Sequence, residues 1–237
     1  MIVAVAGGKG GVGKSTVSLN LANELDAVVV DADLSVPDLP LGGGPTLHDV
    51  LADRAKPSDA VTTNGSVRIV PSGRTLAGAC ASTVSKLPSV LETLERTHGR
   101  VVVDCPAGLA RDVGVLVYAA DAAVLVTMTE KPAVLDALRT KQLARTVQTP
   151  IVSVAVNQVA TRTDTKLAAT IRDNMESPTT VISKRSEIGA ANESGKPVGD
   201  VYPDSSVRTA FAEIAEIVER YEQRLSRSCQ QSHPLES

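Results

Sequence analysis

The first sixteen residues constrain the fold more than any other stretch. Ile2-Val-Ala-Val-Ala6 is wholly apolar and runs straight into Gly7-Gly-Lys-Gly-Gly-Val-Gly-Lys-Ser-Thr16. An apolar run without polar alternation fits a strand covered on both faces, as inside a parallel sheet. Gly8, Gly13, Lys14 and Ser15 then match G-x-x-x-x-G-K-[ST] between a strand and a helix, the pattern of a phosphate-holding loop. Glycines let successive backbone N–H groups turn inward toward phosphate oxygens, and the following helix adds the positive end of its dipole. In such a loop Lys14 supplies a point charge and Ser15 a hydroxyl ligand for Mg²⁺.

The rest of the chain agrees with a sheet covered by helices. Only 2% of its 237 residues are aromatic against 43% hydrophobic, so the core must be built from Val, Ala, Leu and Ile. The length fits one large α/β domain, expected over residues 1–225. With a formal net charge of −3, global attraction to nucleic acid is not expected, which leaves local basic patches open. Cys80, Cys105 and Cys229 are odd in number and far apart, which suggests neither a disulfide framework nor a zinc site. With no signal-peptide pattern ahead of the first strand and the apolar stretch from Val113 to Met128 broken by Asp121, a cytoplasmic setting is expected.

Helices are expected over Ser15 to Leu25, Ser85 to His98, Lys131 to Val147 and Val207 to Leu225, and Gly99 stands where a helix-ending glycine would. Further buried strands are expected over Ala27 to Val30, Val67 to Val70, Arg100 to Asp104, Ala122 to Thr127, Ile151 to Val156 and Thr179 to Ile182. The stretch from Pro71 to Ala81, holding Arg74 and Cys80, reads as small and flexible; Gly42-Gly-Gly44 reads as mobile; residues 226–237 read as a disordered tail. His48 is expected on a helix surface. Seven Lys or Arg between Lys131 and Arg172 face only Asp136 and Asp164, a solvated face or a partner, DNA or anionic-lipid surface. Asp31 and Asp33 follow a strand, at the sheet edge where open α/β proteins bind ligands. If extended, they point the same way, suiting a metal's water shell and an attacking water; otherwise they are a solvated turn or helix cap.

Lys9, placed inside the loop, narrows the class. Lys9-Gly-Gly-Val-Gly-Lys-Ser-Thr16 resembles the deviant Walker A motif of the MinD/ParA ATPases. Asp31-Ala-Asp-Leu-Ser-Val-Pro-Asp-Leu39 resembles switch I of MinD-like members, with Asp38 where many have Asn, and Pro45-Thr-Leu-His-Asp-Val-Leu51 resembles the helix after it. Asp104-Cys-Pro-Ala-Gly108 resembles switch II. The resemblance implies a three-layer fold, a mostly parallel central sheet with helices on both faces, of the P-loop NTPase type (SIMIBI class). It implies that ATP or ADP is held by Gly8, Lys9, Gly10, Gly11, Val12, Gly13, Lys14, Ser15 and Thr16, with Asn157 on the adenine and the Gly108 amide sensing the γ-phosphate. Mg²⁺ would lie near Ser15, Asp31 and Asp104, Asp33 would orient the attacking water, and Lys9 would reach the partner subunit's phosphates. Gln158 departs from the usual Arg after the Asn, and Ser183 from a frequent Pro that begins the base-covering loop and helix, Ser183 to Val198.

The resemblance therefore implies a Mg²⁺-dependent ATPase, dimeric with ATP and monomeric with ADP, that positions a cellular partner or cargo protein with the help of an activator. It would be recruited to a membrane, pole or nucleoid through that partner, since the tail holds no recognisable amphipathic membrane-targeting helix. Alternatives that keep the fold are a ParA-like partition ATPase with non-specific DNA binding and a nucleotide-gated scaffold with almost no turnover. An iron–sulfur carrier lacks the expected cysteine pair, and dethiobiotin- or cobyrinate-type synthetases lack Lys9 in this context.

Overall fold

The structure, a computed structural model, describes residues 1–35, 39–73, 75–108 and 111–231. Asp38, Arg74 and residues 232–237 lie outside the described residues, as does the Cys229 side chain.

In chain order the elements are β1 (Ile2–Ala6), α1 (Lys14–Glu24), β2 (Val28–Asp31), α2 (Leu47–Leu51), β3 (Thr62–Asn64), β4 (Val67–Val70), α3 (Leu76–Ala81), α4 (Leu87–His98), β5 (Val101–Asp104) and α5 (Arg111–Tyr118). There follow β6 (Ala122–Thr127), α6 (Lys131–Thr146), β7 (Ile151–Val159), α7 (Arg162–Met175), β8 (Thr179–Ser183), α8 (Ser186–Glu193), α9 (Val198–Val201) and α10 (Ser206–Gln231). The sheet runs β3-β4-β2-β5-β1-β6-β7-β8. Each pairing is parallel except the edge hairpin of β3 and β4. This is the three-layer α/β architecture expected from the sequence.

Alternation along the strands divides the core in two. Ile2, Ala4 and Ala6 face one cluster with α4, α5, α6 and α7, whereas Val3 and Val5 face another with α1 and α10. β1 lies between β5 and β6. The chain leaves β1 toward β2 and later passes from β5 to β6 on the other side, so the loop after β1 opens at a topological switch point.

Several expectations need correction. The segment Leu76–Ala81 is helical, started by the Thr75 hydroxyl, which accepts from Gly78 N–H, rather than flexible. β7 continues past Val156 to Val159, and α10 continues past Leu225 to Gln231, so residues 226–231 are helical. α5 and α7 were not legible as helices; the apolar stretch from Val113 divides between α5 and β6. α7 is started by a capping box in which Thr161 and Asp164 exchange hydrogen bonds.

Candidate functional site

The loop after β1 is held by close packing where a side chain would not fit. A Cβ on Gly8 would stand 2.5 Å from Asp136 Cβ on α6. Gly13 has φ +94° and its Cβ would meet Asn157 Nδ2 at 2.1 Å, so this position requires glycine twice over. Gly13 is the N-cap of α1, whose first residues, Lys14, Ser15 and Thr16, therefore sit at the positive helix end.

Lys14 and Lys9 differ in burial and in partners. Lys14 is only 6% exposed. It lies close enough to Asp104 to draw that carboxyl's pKa down. The Lys9 side chain is 38% exposed and its Nζ lies 3.0 Å from Glu130 Oε2, at the N-cap of α6.

β2 and β5 end side by side, with Asp31 paired in register to Asp104, and both side chains are buried. Asp104 Oδ1 accepts the Ser18 hydroxyl at 3.0 Å, the Ser15 hydroxyl also bonds this carboxyl, and Oδ2 is buried without a hydrogen-bond partner. Burial lifts the Asp104 pKa to about 7; Asp31 adds to the rise, while Ser15, Ser18 and Lys14 oppose it. Two buried carboxylates, one with a bare oxygen, beside a hydroxyl form a hard-oxygen donor set that fits Mg²⁺.

Asp31 and Asp33 do not share an extended segment. Asp33 N–H folds back onto Asp31 Oδ1 at 3.1 Å, and Leu39 N–H reaches Asp31 Oδ2 at 3.1 Å. Asp31 thus ties down both ends of the loop that carries the half-buried Asp33. The Gly108 amide, expected to face a γ-phosphate, instead donates to Gly8 O at 2.9 Å. That contact joins the segment after β5 to the phosphate loop and must break before the amide can serve an anion.

Asn157, the residue expected on the adenine, is buried and its side-chain amide is engaged by the phosphate loop and its own neighbour. Its Nδ2 donates to Val12 O at 2.9 Å and its Oδ1 accepts Gln158 N–H at 2.9 Å. Gln158, in a left-handed conformation with φ +60°, donates from Nε2 to Gly11 O at 3.1 Å. Two neighbouring amide side chains therefore grip two successive loop carbonyls. The pairing of β7 with β8 slips at this point, which aims Gln158 back toward the loop. Sequence reasoning missed this role; the departure from Arg was its only signal.

A cavity of about 180 Å³ is lined by Gly13, Thr16, Asn157, Gln158, Lys184, Arg185, Ile188, Gly189 and Asn192. A second, of about 140 Å³, is lined by Ser15, Thr16, Leu19, Leu39, Pro40, Asn192 and Gly195. Asn192 Nδ2 donates to Thr16 Oγ1 at 2.9 Å where the two meet. Each is smaller than the roughly 300 Å³ at which ligand pockets usually begin. Thr16 and Asn192 line both cavities. A cavity of about 570 Å³ lies elsewhere, among Val50, Arg54, Lys56, Lys86 and Thr93, and is lined by none of the residues above.

Three other expectations resolve here. His48 is not on a helix surface: it is 4% exposed, because Leu47 and His48 N–H groups bond Pro71 O and Ser72 O and press α2 against the end of β4. Cys105 is buried and its thiol pKa is pushed far up, chiefly by burial, whereas Cys80 is exposed. In the basic run, Arg139 pairs with Asp136, already counted against it, and Lys141 pairs with Glu176 from beyond the run, which lowers the excess by one. Among the described residues no helix is long and apolar enough to cross a membrane.

Residues 3–198 match the model of the CobQ/CobB/MinD/ParA nucleotide binding domain. An uncharacterised ATP-binding protein of Methanocaldococcus jannaschii is 31% identical over 239 aligned residues, spanning 95% of this chain and 90% of the relative. The cell division ATPase MinD of Pyrococcus furiosus superposes with a TM-score of 0.84 at 28% identity, over 93% of this chain and 98% of that one. The septum site-determining protein MinD of Pyrococcus horikoshii, solved with Mg-ADP, gives 0.84 at 27% identity over 93% and 96%. The family match over residues 3–198 and the 31% identical relative spanning 95% of the chain place it in the MinD/ParA family of nucleotide-binding ATPases.

Proposed function

We propose that this protein is an ATP-dependent dimerisation switch, a MinD-like ATPase that hydrolyses ATP with Mg²⁺ and thereby controls the position of a partner protein in the cytoplasm. The observation that supports it most is the contrast in burial between the two loop lysines. Lys14 is buried beside the acid pair, while Lys9 stands at the solvent edge, held by Glu130. A cation outside its own phosphate cradle is available to phosphates bound by a second copy. The likeness to the cell division ATPase MinD supports a positioning role.

In this reading the loop amides and Lys14 bind the β- and γ-phosphates. Asp33 orients water for in-line attack, and Lys9 of the opposite copy stabilises charge on the transferred group. Ser15, Asp31 and Asp104 would hold Mg²⁺, which neutralises phosphate charge. The loop from Asp31 to Leu39 and the segment at Gly108 respond to the γ-phosphate, the latter by leaving Gly8 O, and relax after hydrolysis. The test is molecular mass in solution with ADP and with ATP·Mg²⁺, using Asp33→Ala to block hydrolysis. A dimer only with ATP is expected; a monomer in both states refutes the trans role of Lys9.

A further inference from the structure

Leu34 immediately follows Asp33, and its carbonyl oxygen lies 3.0 Å from His48 Nε2. A carbonyl only accepts, so the proton is on Nε2 and the ring donates. The other edge of the ring is wedged between two glycines. A Cβ on Gly73, just beyond β4, would stand 1.9 Å from His48 Nδ1, and one on Gly78, in α3, 2.7 Å. Nδ1 is buried there with no hydrogen-bond partner. An unsatisfied buried nitrogen is costly, and an apolar side chain of similar size would fill the same notch without that cost. What the imidazole adds over such a side chain is the bond to the loop that carries Asp33.

We propose that His48 is a positioning residue for hydrolysis: its Nε2–H holds the Leu34 carbonyl and so fixes the backbone from which Asp33 projects. The inference rests on the reading of Asp33 as the group that orients the attacking water. His48 is anchored independently of the phosphate loop, because its own N–H donates to Ser72 O at 2.9 Å and α2 begins with the capping box of Thr46 and Asp49. Losing its hold on Leu34 therefore loosens the backbone on the C-terminal side of Asp33, whose own N–H stays on Asp31 Oδ1, while leaving Lys14, Ser15 and the cavity beside Asn157 in place. Misplacing a reacting group by about 1 Å costs on the order of 100-fold in rate, so turnover rather than nucleotide affinity carries the effect.

The test compares the full-length protein with His48→Ala, His48→Gln and His48→Asn, measuring ATP·Mg²⁺ affinity, single-turnover phosphate release and melting temperature. For His48→Ala, hydrolysis is expected to fall roughly 10- to 100-fold with ATP affinity within about 3-fold of wild type. The Gln amide reaches about as far as Nε2 and recovers much of the rate; the Asn amide sits where Nδ1 does and recovers little. Should His48→Ala fail to fold, the contrast between Gln and Asn carries the test. Wild-type rates in every variant overturn the proposal alone. So does a parallel loss of affinity and melting temperature with Gln no better than Asn, which marks a structural role. A wild-type protein that neither binds nor hydrolyses ATP overturns the ATPase reading and this inference with it.

Discussion

Asp104→Asn separates the buried acid pair's effect on stability from its effect on cation binding. Burial lifts the Asp104 carboxyl from an ordinary 3.8 to about 7. Between those values the folded protein keeps a proton that the unfolded chain has released. Folding stability therefore falls as pH rises through this window, and the penalty is complete above about 7. A rise of about 3 pH units at ~1.4 kcal/mol each gives a penalty of up to ~4 kcal/mol in metal-free protein at pH 8, and almost none near pH 4. Asparagine keeps an acceptor for the Ser18 hydroxyl, 3.0 Å from Oδ1, and never ionises. The variant is expected to match wild type near pH 4 and to melt higher at pH 8, by roughly 2–4 °C per kcal/mol. Thermal melts in EDTA across this range measure the gap. With Mg²⁺ and ADP the order should reverse, because only the carboxylate gains from a cation. A variant equally destabilised at both ends of the pH range would refute the claim that the buried charge governs this site.

Lys9→Ala should leave the melting temperature within about 4 °C, since an exposed ion pair contributes no more than ~1 kcal/mol, yet abolish the ATP-dependent dimer in sedimentation. Gly13→Ala forces a side chain at φ +94° into Asn157 and is expected to lose nucleotide binding in a fluorescence titration, with ~1–3 kcal/mol of stability. Asn157→Ala strips Val12 O of its buried donor, so denaturant unfolding should show a loss of ~1–3 kcal/mol even without nucleotide. In a protein lacking Cys80 and Cys229, the buried Cys105 should resist thiol reagents at pH 8 until denatured; rapid labelling of the folded protein would contradict its burial.

Much of the fold was legible because its signals are local. Ile2–Ala6 and Ala122–Thr127 matched their expected bounds, since continuous apolar runs have few places to go except a doubly covered sheet. Gly99 ends α4 with φ +82°, as a glycine after a helix should. α5 and α3 were missed for the opposite reason. The stretch from Val113 is apolar on every side and shows no helical period, and Leu76–Ala81 is made of small residues whose helix depends on the Thr75 cap and on packing against α2.

The site divides along the same line. The sequence by itself determined the phosphate loop, because glycine positions and strand–loop–helix order are properties of consecutive residues. It also placed Asp31 and Asp104 at strand ends. Only the tertiary structure brought those acids into register, buried both and left one oxygen bare. Tertiary packing also decided that Lys9 meets Glu130, that Asn157 and Gln158 grip Val12 and Gly11, and that His48 turns inward to Leu34. These partners are between 14 and 147 positions apart in the chain. Burial and hydrogen-bond choice depend on which surfaces the sheet order places together, and no local pattern of residues encodes that order.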